Sequence, residues 1–137
     1  MTVVLSGMST PGQLVQNIAS AEDGLPGSLD KRELAVYKRV RKEFVRRTAI
    51  PCTGCKYCQP CPHGVSIPEC FELYNQAFMY DAKESVQQRY AMFLGGFFDG
   101  IPSYASCCQD CGECEEKCPQ GLPVRENLRK VSEFFGR

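Results

Sequence analysis

Apolar residues recur at intervals of three and four along most of this chain, and only its first few residues suggest extended structure. Residues 2–6, Thr-Val-Val-Leu-Ser, read as a short strand. Thr10, Pro11 and Gln13 then carry a helix start, with Thr10 as N-cap, proline in the first turn and Gln13 completing a capping box. Leu14 and Ile18 share one face of that helix, which should end near Asp23-Gly24. Residues 22–29 form a Gly/Pro/Ser-rich linker. A second helix is predicted from Lys31 to Arg47, capped by Asp30 with Glu33 three residues on, and its apolar positions are Leu34, Tyr37, Val40 and Phe44.

Three further helices are expected downstream. Ser66-Ile67-Pro68-Glu69 reads as a capping box that opens the stripe Ile67, Phe71, Tyr74 and Phe78. Val86, Tyr90, Phe93 and Phe97 form a second stripe, closed by Asp99-Gly100. Val124, Leu128, Val131 and Phe135 form a third, on a helix that starts near Pro123. These stripes are expected to pack the core. No convincing strand follows residue 6, so the expected fold is mostly α, with a short N-terminal strand-helix segment over residues 1–24 and a helical domain over 25–137.

Composition adds constraints. The 137 residues are 43% hydrophobic, enough for a packed core. Sixteen basic residues balance sixteen acidic ones, so the overall charge gives no basis for binding nucleic acid. No apolar run approaches the roughly 20 residues of a membrane span, and the N-terminus lacks the pattern of a signal peptide. These features suggest a soluble cytoplasmic protein without a membrane or nucleic-acid role. Eight lysines and arginines crowd the second helix: Lys31, Arg32, Lys38, Arg39, Arg41, Lys42, Arg46 and Arg47. They suit a solvated face, or a dock for an acidic redox partner or another domain.

The ten cysteines change the picture most. Four lie between residues 52 and 61 and five between 107 and 118, a crowding that suits thiolates converging on a soft metal centre better than a disulfide framework. The first run is Cys52-x2-Cys55-x2-Cys58-x2-Cys61-Pro62. The second, Cys108-x2-Cys111-x2-Cys114-x3-Cys118-Pro119, has the spacing of bacterial ferredoxins. A loop with thiolates at every third position can wrap one cubane while its backbone N–H groups face the sulfurs. Gly54 and Gly112 would allow close backbone approach.

Two 4Fe-4S clusters on eight cysteines are therefore expected. In two-cluster ferredoxins the fourth cysteine of each run ligates the other cluster. On that pattern one cluster takes Cys52, Cys55, Cys58 and Cys118, and the other takes Cys108, Cys111, Cys114 and Cys61. The first run has x2 where the pattern has x3, which leaves Cys61 the least constrained ligand. The rival arrangement draws all four ligands of a cluster from one run. Zinc is the alternative metal, although its four-cysteine sites pair two separated C-x2-C units. Cys70 falls on a helical face as a buried thiol, Cys107 abuts a ligand, and His63 should pack near a cluster.

The stretch Cys52-Thr-Gly-Cys-Lys-Tyr-Cys-Gln-Pro-Cys-Pro-His-Gly-Val-Ser-Ile-Pro68, with Phe71-Glu-Leu-Tyr-Asn75, resembles the C-terminal ferredoxin-like domain fused to certain aldo/keto reductases. Ala105-Ser106 and the segment from Cys108 to Pro123 fit the same family, so the resemblance covers about residues 30–135. It implies two 4Fe-4S clusters in an α-helical ferredoxin-like domain, with electron transfer to a redox partner or catalytic barrel. Val3-Val4-Leu5-Ser6-Gly7-Met8-Ser9, with Gln13 and Asn17, resembles the eighth strand and following helix of the aldo/keto reductase barrel. That likeness implies that Ser9, Gln13 and Asn17 are NADPH-side residues when a barrel is present. A lone strand and helix cannot close an eight-stranded barrel. The Asp–Tyr–Lys–His catalytic set is missing, so this chain alone is not expected to reduce carbonyls or to need NADPH.

Overall fold

The computed structural model describes residues 6–97 and 100–137. The described residues form helices α1 (Pro11–Asp23), α2 (Lys31–Arg47), α3 (Ile67–Met79), α4 (Lys83–Leu94), α5 (Glu113–Glu116) and α6 (Val124–Phe135), with a 3-10 turn at Ala105–Cys107. There is no strand among them, so the fold is mostly α, as the periodicity predicts. The strand expected over residues 2–6 lies, apart from Ser6, outside the described residues. No helix among them is long and apolar enough to cross a membrane. The chain divides into two compact units, Met1–Arg41 and Lys42–Arg137.

Helix starts follow the polar signals. At α1 the Gln13 N–H donates to Thr10 Oγ1 (3.3 Å), and the Thr10 N–H donates to Gln13 Oε1 (3.2 Å). At α2 Asp30 Oδ1 accepts from the Arg32 and Glu33 N–H groups, while Glu33 Oε2 accepts from the Asp30 N–H. Each such cap satisfies donors that the first helical turn leaves unpaired.

Neither α1 nor α2 buries a residue. Leu34, Tyr37, Val40 and Phe44 are 41–65% exposed, and Leu14 and Ile18 are likewise exposed, so these two stripes are amphipathic surface rather than core. An apolar stripe signals helical period, but burial requires a facing surface.

In the second unit, α3 packs against α4 and α6, and α6 also packs against α5 and the 3-10 turn. The core comprises Ile50, Val65, Ile67, Cys70, Phe71, Leu73, Ala77, Val86, Tyr90, Leu94, Ala105, Cys114, Val124, Leu128, Val131 and Phe135. Tyr90 stacks on Phe135 (centroids 4.2 Å apart) and on Tyr104 (5.3 Å), and its hydroxyl accepts from the Ala105 N–H at 2.9 Å. Each large apolar side chain buried here contributes about 1.5–3 kcal/mol.

Two expectations need correction. The Ser66 capping box does not form: Ser66 Oγ donates to Glu69 Oε2 (2.9 Å) and caps no N–H. Glu69 is meanwhile drawn to Lys56 Nζ at 2.8 Å. The α4 stripe is also misplaced. The helix stops at Leu94: Gly96 takes a left-handed φ of 76° that breaks the helical run, and a Cβ at Gly95 would collide with the Ala91 carbonyl and the Tyr104 hydroxyl. Its buried positions are Val86, Tyr90 and Leu94, whereas Phe93 and Phe97 are 49% and 76% exposed. Of the predicted stop, Asp99 lies outside the described residues. On α3, Ile67 and Phe71 are buried and Phe78 is exposed, because the packed face turns through Cys70, Leu73 and Ala77. The α6 stripe is fully buried.

Candidate metal centres

The two cysteine runs adopt the same backbone curl. In the first, Gly54 (φ 67°) and Lys56 (φ 64°) flank Cys55; in the second, Asp110 (φ 56°) and Gly112 (φ 86°) flank Cys111. Left-handed residues thus stand at matching places in both loops, with glycine at one place and a strained side-chain residue at the other. Gly54 takes its left-handed φ without strain, and no protein atom lies within 4 Å of a Cβ built on it. The curl turns equivalent N–H groups toward sulfur: Gly54 N–H donates to Cys52 Sγ and Asp110 N–H to Cys108 Sγ, each at 3.4 Å.

After each loop the chain repeats Cys-Pro-x-Gly, at Cys61-Pro62-His63-Gly64 and Cys118-Pro119-Gln120-Gly121. In each, the glycine N–H donates to the cysteine carbonyl, at 3.0 and 3.1 Å. Helices α3 and α6 then begin at equivalent positions, Ile67 and Val124, both buried. The extra residue before Cys118 therefore does not disturb the match beyond it.

Polar contacts hold the loops in place. Asn75 on α3 receives the Ile50 N–H at 2.8 Å and donates to the Ile50 carbonyl at 2.7 Å, and that carbonyl also accepts from the Cys52 N–H at 2.8 Å. Gln59 bridges from the Val65 carbonyl (3.0 Å) to the Cys61 N–H (3.2 Å). Around the second loop, Arg129 pairs with Asp110 (2.8 Å) and Arg125 pairs with Glu115 (2.8 Å). The Arg125 hydrogen bond holds the Glu115 carboxyl below its ordinary range. These anchors were not anticipated from sequence. Aligning the two cysteine runs exposes Lys56 and Asp110, whereas neither spacing nor periodicity links Asn75 to Ile50.

The eight cysteines line two recesses. One, a narrow recess of about 10 Å³, is lined by Cys61, Cys108, Cys111 and Cys114 together with Cys58, His63, Lys117, Arg125 and Leu128. The other, of about 20 Å³, is lined by Cys52, Cys55, Cys58 and Cys118 together with Lys56, Phe71, Leu122 and Val124. Each recess thus joins three cysteines of one run to the Cys-Pro cysteine of the other, and Cys58 also borders the recess of the second run. Cys55 and Cys111 are exposed at the loop tips, while Cys114 is buried.

Burial raises the thiols of Cys52, Cys58 and Cys114, the last to about 11. Loading a metal there must expel protons. Among the described residues, no group of three or more His, Cys, Asp or Glu converges tightly enough for a single ion. Tetrahedral zinc needs its sulfurs about 2.3 Å from one point. Soft thiols spread around a recess, met by N–H···S bonds and apolar walls, fit a larger anionic cluster.

The remaining predicted residues lie apart. Cys70 is fully buried, 3.8 Å from the Tyr90 hydroxyl and from the Ser103 carbonyl, and burial pushes its thiol up to about 12. Cys107 is half-buried and lines neither recess; its Sγ is 3.8 Å from the Pro102 carbonyl. Ser9 precedes α1, Gln13 lies in its first turn and Asn17 lies mid-helix. Gln13 Oε1 accepts from the Ser9 N–H (2.8 Å), and Asn17 Nδ2 donates to Ser6 Oγ (2.9 Å), so both side chains serve local helix-start contacts.

Comparison with known proteins gives one match. No curated protein and no solved structure matches the chain. The family model of the 4Fe-4S dicluster domain matches residues 51–123, which include both cysteine runs and more than half of the chain. This chain belongs to the 4Fe-4S dicluster domain family.

Proposed function

We propose that this chain carries single electrons through two 4Fe-4S clusters, one held by Cys52, Cys55, Cys58 and Cys118, the other by Cys108, Cys111, Cys114 and Cys61. The observation that carries the reading is the composition of the recesses: one gathers Cys52, Cys55 and Cys58 with Cys118 of the other run, and the other gathers Cys108, Cys111 and Cys114 with Cys61, Cys58 standing at the border of both. A bound cluster supplies reversible one-electron chemistry. The chain's own part is to orient and to shield. N–H groups of Gly54 and Asp110 offset negative charge at sulfur, and Ile67, Phe71, Leu122, Val124 and Leu128 keep water from the recess walls. Complete cysteine ligation leaves no open iron site, which favours electron transfer over catalysis at the cluster.

The finer reading is a component of an oxidoreductase that exchanges electrons with a separate catalytic barrel of the aldo/keto reductase type. Motif resemblance over residues 30–135 supports it, and the exposed apolar and basic positions of α2 offer a surface for such a partner. NADPH would then belong with the barrel, with Ser9, Gln13 and Asn17 at its edge. A cytoplasmic setting accords with eight reduced thiols.

Anaerobic purification with iron and acid-labile sulfide counts, followed by EPR after dithionite reduction, tests the core proposal. Two clusters' worth of iron and sulfide with a reducible signal is expected. Loaded clusters that dithionite cannot reduce would leave only a structural staple, and zinc without sulfide would overturn the assignment.

A further inference from the structure

Two residues line both recesses: Cys58 and Ile67. Cys58 is a proposed ligand, so Ile67 is the one non-ligand side chain common to both walls. It is 1% exposed and opens α3, where the Ile67 N–H donates to the Val65 carbonyl at 3.1 Å. Its side chain offers no hydrogen-bonding group, and its neighbours in the core, Val65, Phe71 and Leu128, are equally buried. The partition between the recesses is thus one sulfur and one aliphatic side chain.

Resting on the two-cluster reading, we propose that Ile67 is the dielectric partition through which each cluster senses the charge of the other. The energy between two charges varies inversely with the effective dielectric constant around them. A dry aliphatic wall keeps that constant low. When one electron passes from an external one-electron reductant to the first cluster, no bond forms or breaks and one negative charge is added beside the second site. Across an apolar wall that charge makes the second electron harder to add, so the two midpoint potentials separate. A polar or hydrated wall would screen the charge and draw the midpoints together. Ile67 therefore sets how far the two midpoints stand apart, although it binds neither iron nor sulfide.

Valine and threonine have nearly the same shape and differ in polarity, so Ile67→Val and Ile67→Thr form the test pair. Anaerobic redox titration of each cluster-loaded variant, followed by EPR, reads both midpoints, and iron and sulfide counts run alongside. Leu122→Ala, which alters the wall of one recess only, serves as the comparison. The expected result is a separation close to wild type in Ile67→Val and a narrower one in Ile67→Thr. Leu122→Ala should shift one midpoint. Equal separation in the valine and threonine variants, at full loading, would overturn the proposal. Fewer than two clusters in the wild-type protein would instead overturn the reading beneath it.

Discussion

Asn75 is the contact whose removal should separate the two centres most cleanly. Its carboxamide holds the N–H and carbonyl of Ile50, two residues before Cys52, at 2.8 and 2.7 Å. In Asn75→Ala the Ile50 N–H is left without that partner in a residue only 1% exposed. An orphaned buried donor costs about 1–3 kcal/mol. The Ile50 carbonyl fares better because the Cys52 N–H still donates to it at 2.8 Å, so only about 0.5–1.5 kcal/mol of net hydrogen bonding is lost there. The sum is about 1.5–4.5 kcal/mol, a large share of the 5–15 kcal/mol typical of a domain. At roughly 4 °C per kcal/mol the melting temperature should fall by about 6–18 °C. The loss is local to the entry of the first loop, so iron and sulfide should drop toward half. The surviving EPR signal should be that of the cluster proposed for Cys108, Cys111, Cys114 and Cys61. Asn75→Asp keeps an acceptor for the Ile50 N–H and should fall between the alanine variant and wild type. A fully loaded Asn75→Ala protein that melts within about 2 °C of wild type would refute the argument that this clamp positions the loop.

Three other outcomes are expected. Cys118→Ser should disturb the cluster bound by Cys52, Cys55 and Cys58 and spare the other, and Cys61→Ser should do the reverse; EPR of each variant that shows damage to the cluster of its own run would establish local ligation instead. Phe71→Ala should cost about 3–5 kcal/mol as a buried aromatic truncation, whereas Phe44→Ser, at a residue 57% exposed, should stay within about 0.5 kcal/mol; similar losses in thermal unfolding would show that the α2 stripe is covered. Cys70 should resist alkylation in the folded protein at pH 8, as mass spectrometry would read. Its thiol ionises near the ordinary 9.0 when unfolded and at about 12 when folded, so its stabilising contribution is present below pH 9 and is lost as pH rises from 9 toward 12. Rapid modification at pH 8 would contradict the burial.

Much of this was legible in the sequence where chemistry is local. Thr10 with Gln13 and Asp30 with Glu33 cap helices as their spacing predicts, because a cap depends on residues within one turn. The α6 stripe is legible for the same reason: Val124, Leu128, Val131 and Phe135 sit on one face, and that face meets the core. The failures lie where a distant residue decides the outcome. Ser66 and Glu69 have capping spacing, but the Ser66 N–H donates to the distant Ser103 carbonyl at 3.0 Å, and Glu69 accepts from Ser66 Oγ and Lys56 instead. Helix α4 was read past its end because Phe93 and Phe97 keep helical period, while Gly95 is required by the approach of Tyr104. Asn75 serves Ile50 across a separation of 25 residues, which no periodicity encodes.

The repeat of loop, Cys-Pro-x-Gly and helix also bears on why the recesses mix cysteines from both runs. Each loop curls around its recess through three cysteines, and the Cys-Pro turn then directs the chain into a buried helix, α3 or α6. These two helices pack against each other in one core, so the start of each helix lies beside the recess of the other loop. A fourth ligand drawn from its own loop would have to leave that helix start, where Ile67 and Val124 are each 1% exposed. Crossing needs no such departure. Under the proposed ligation, neither loop completes its ligand set until α3 and α6 have docked. Under the proposed ligation, cluster loading therefore stabilises the packing of the two helices, and damage to that packing should release iron from both centres together. This differs from the Asn75 variant, where the helices remain docked and only the loop entry is freed.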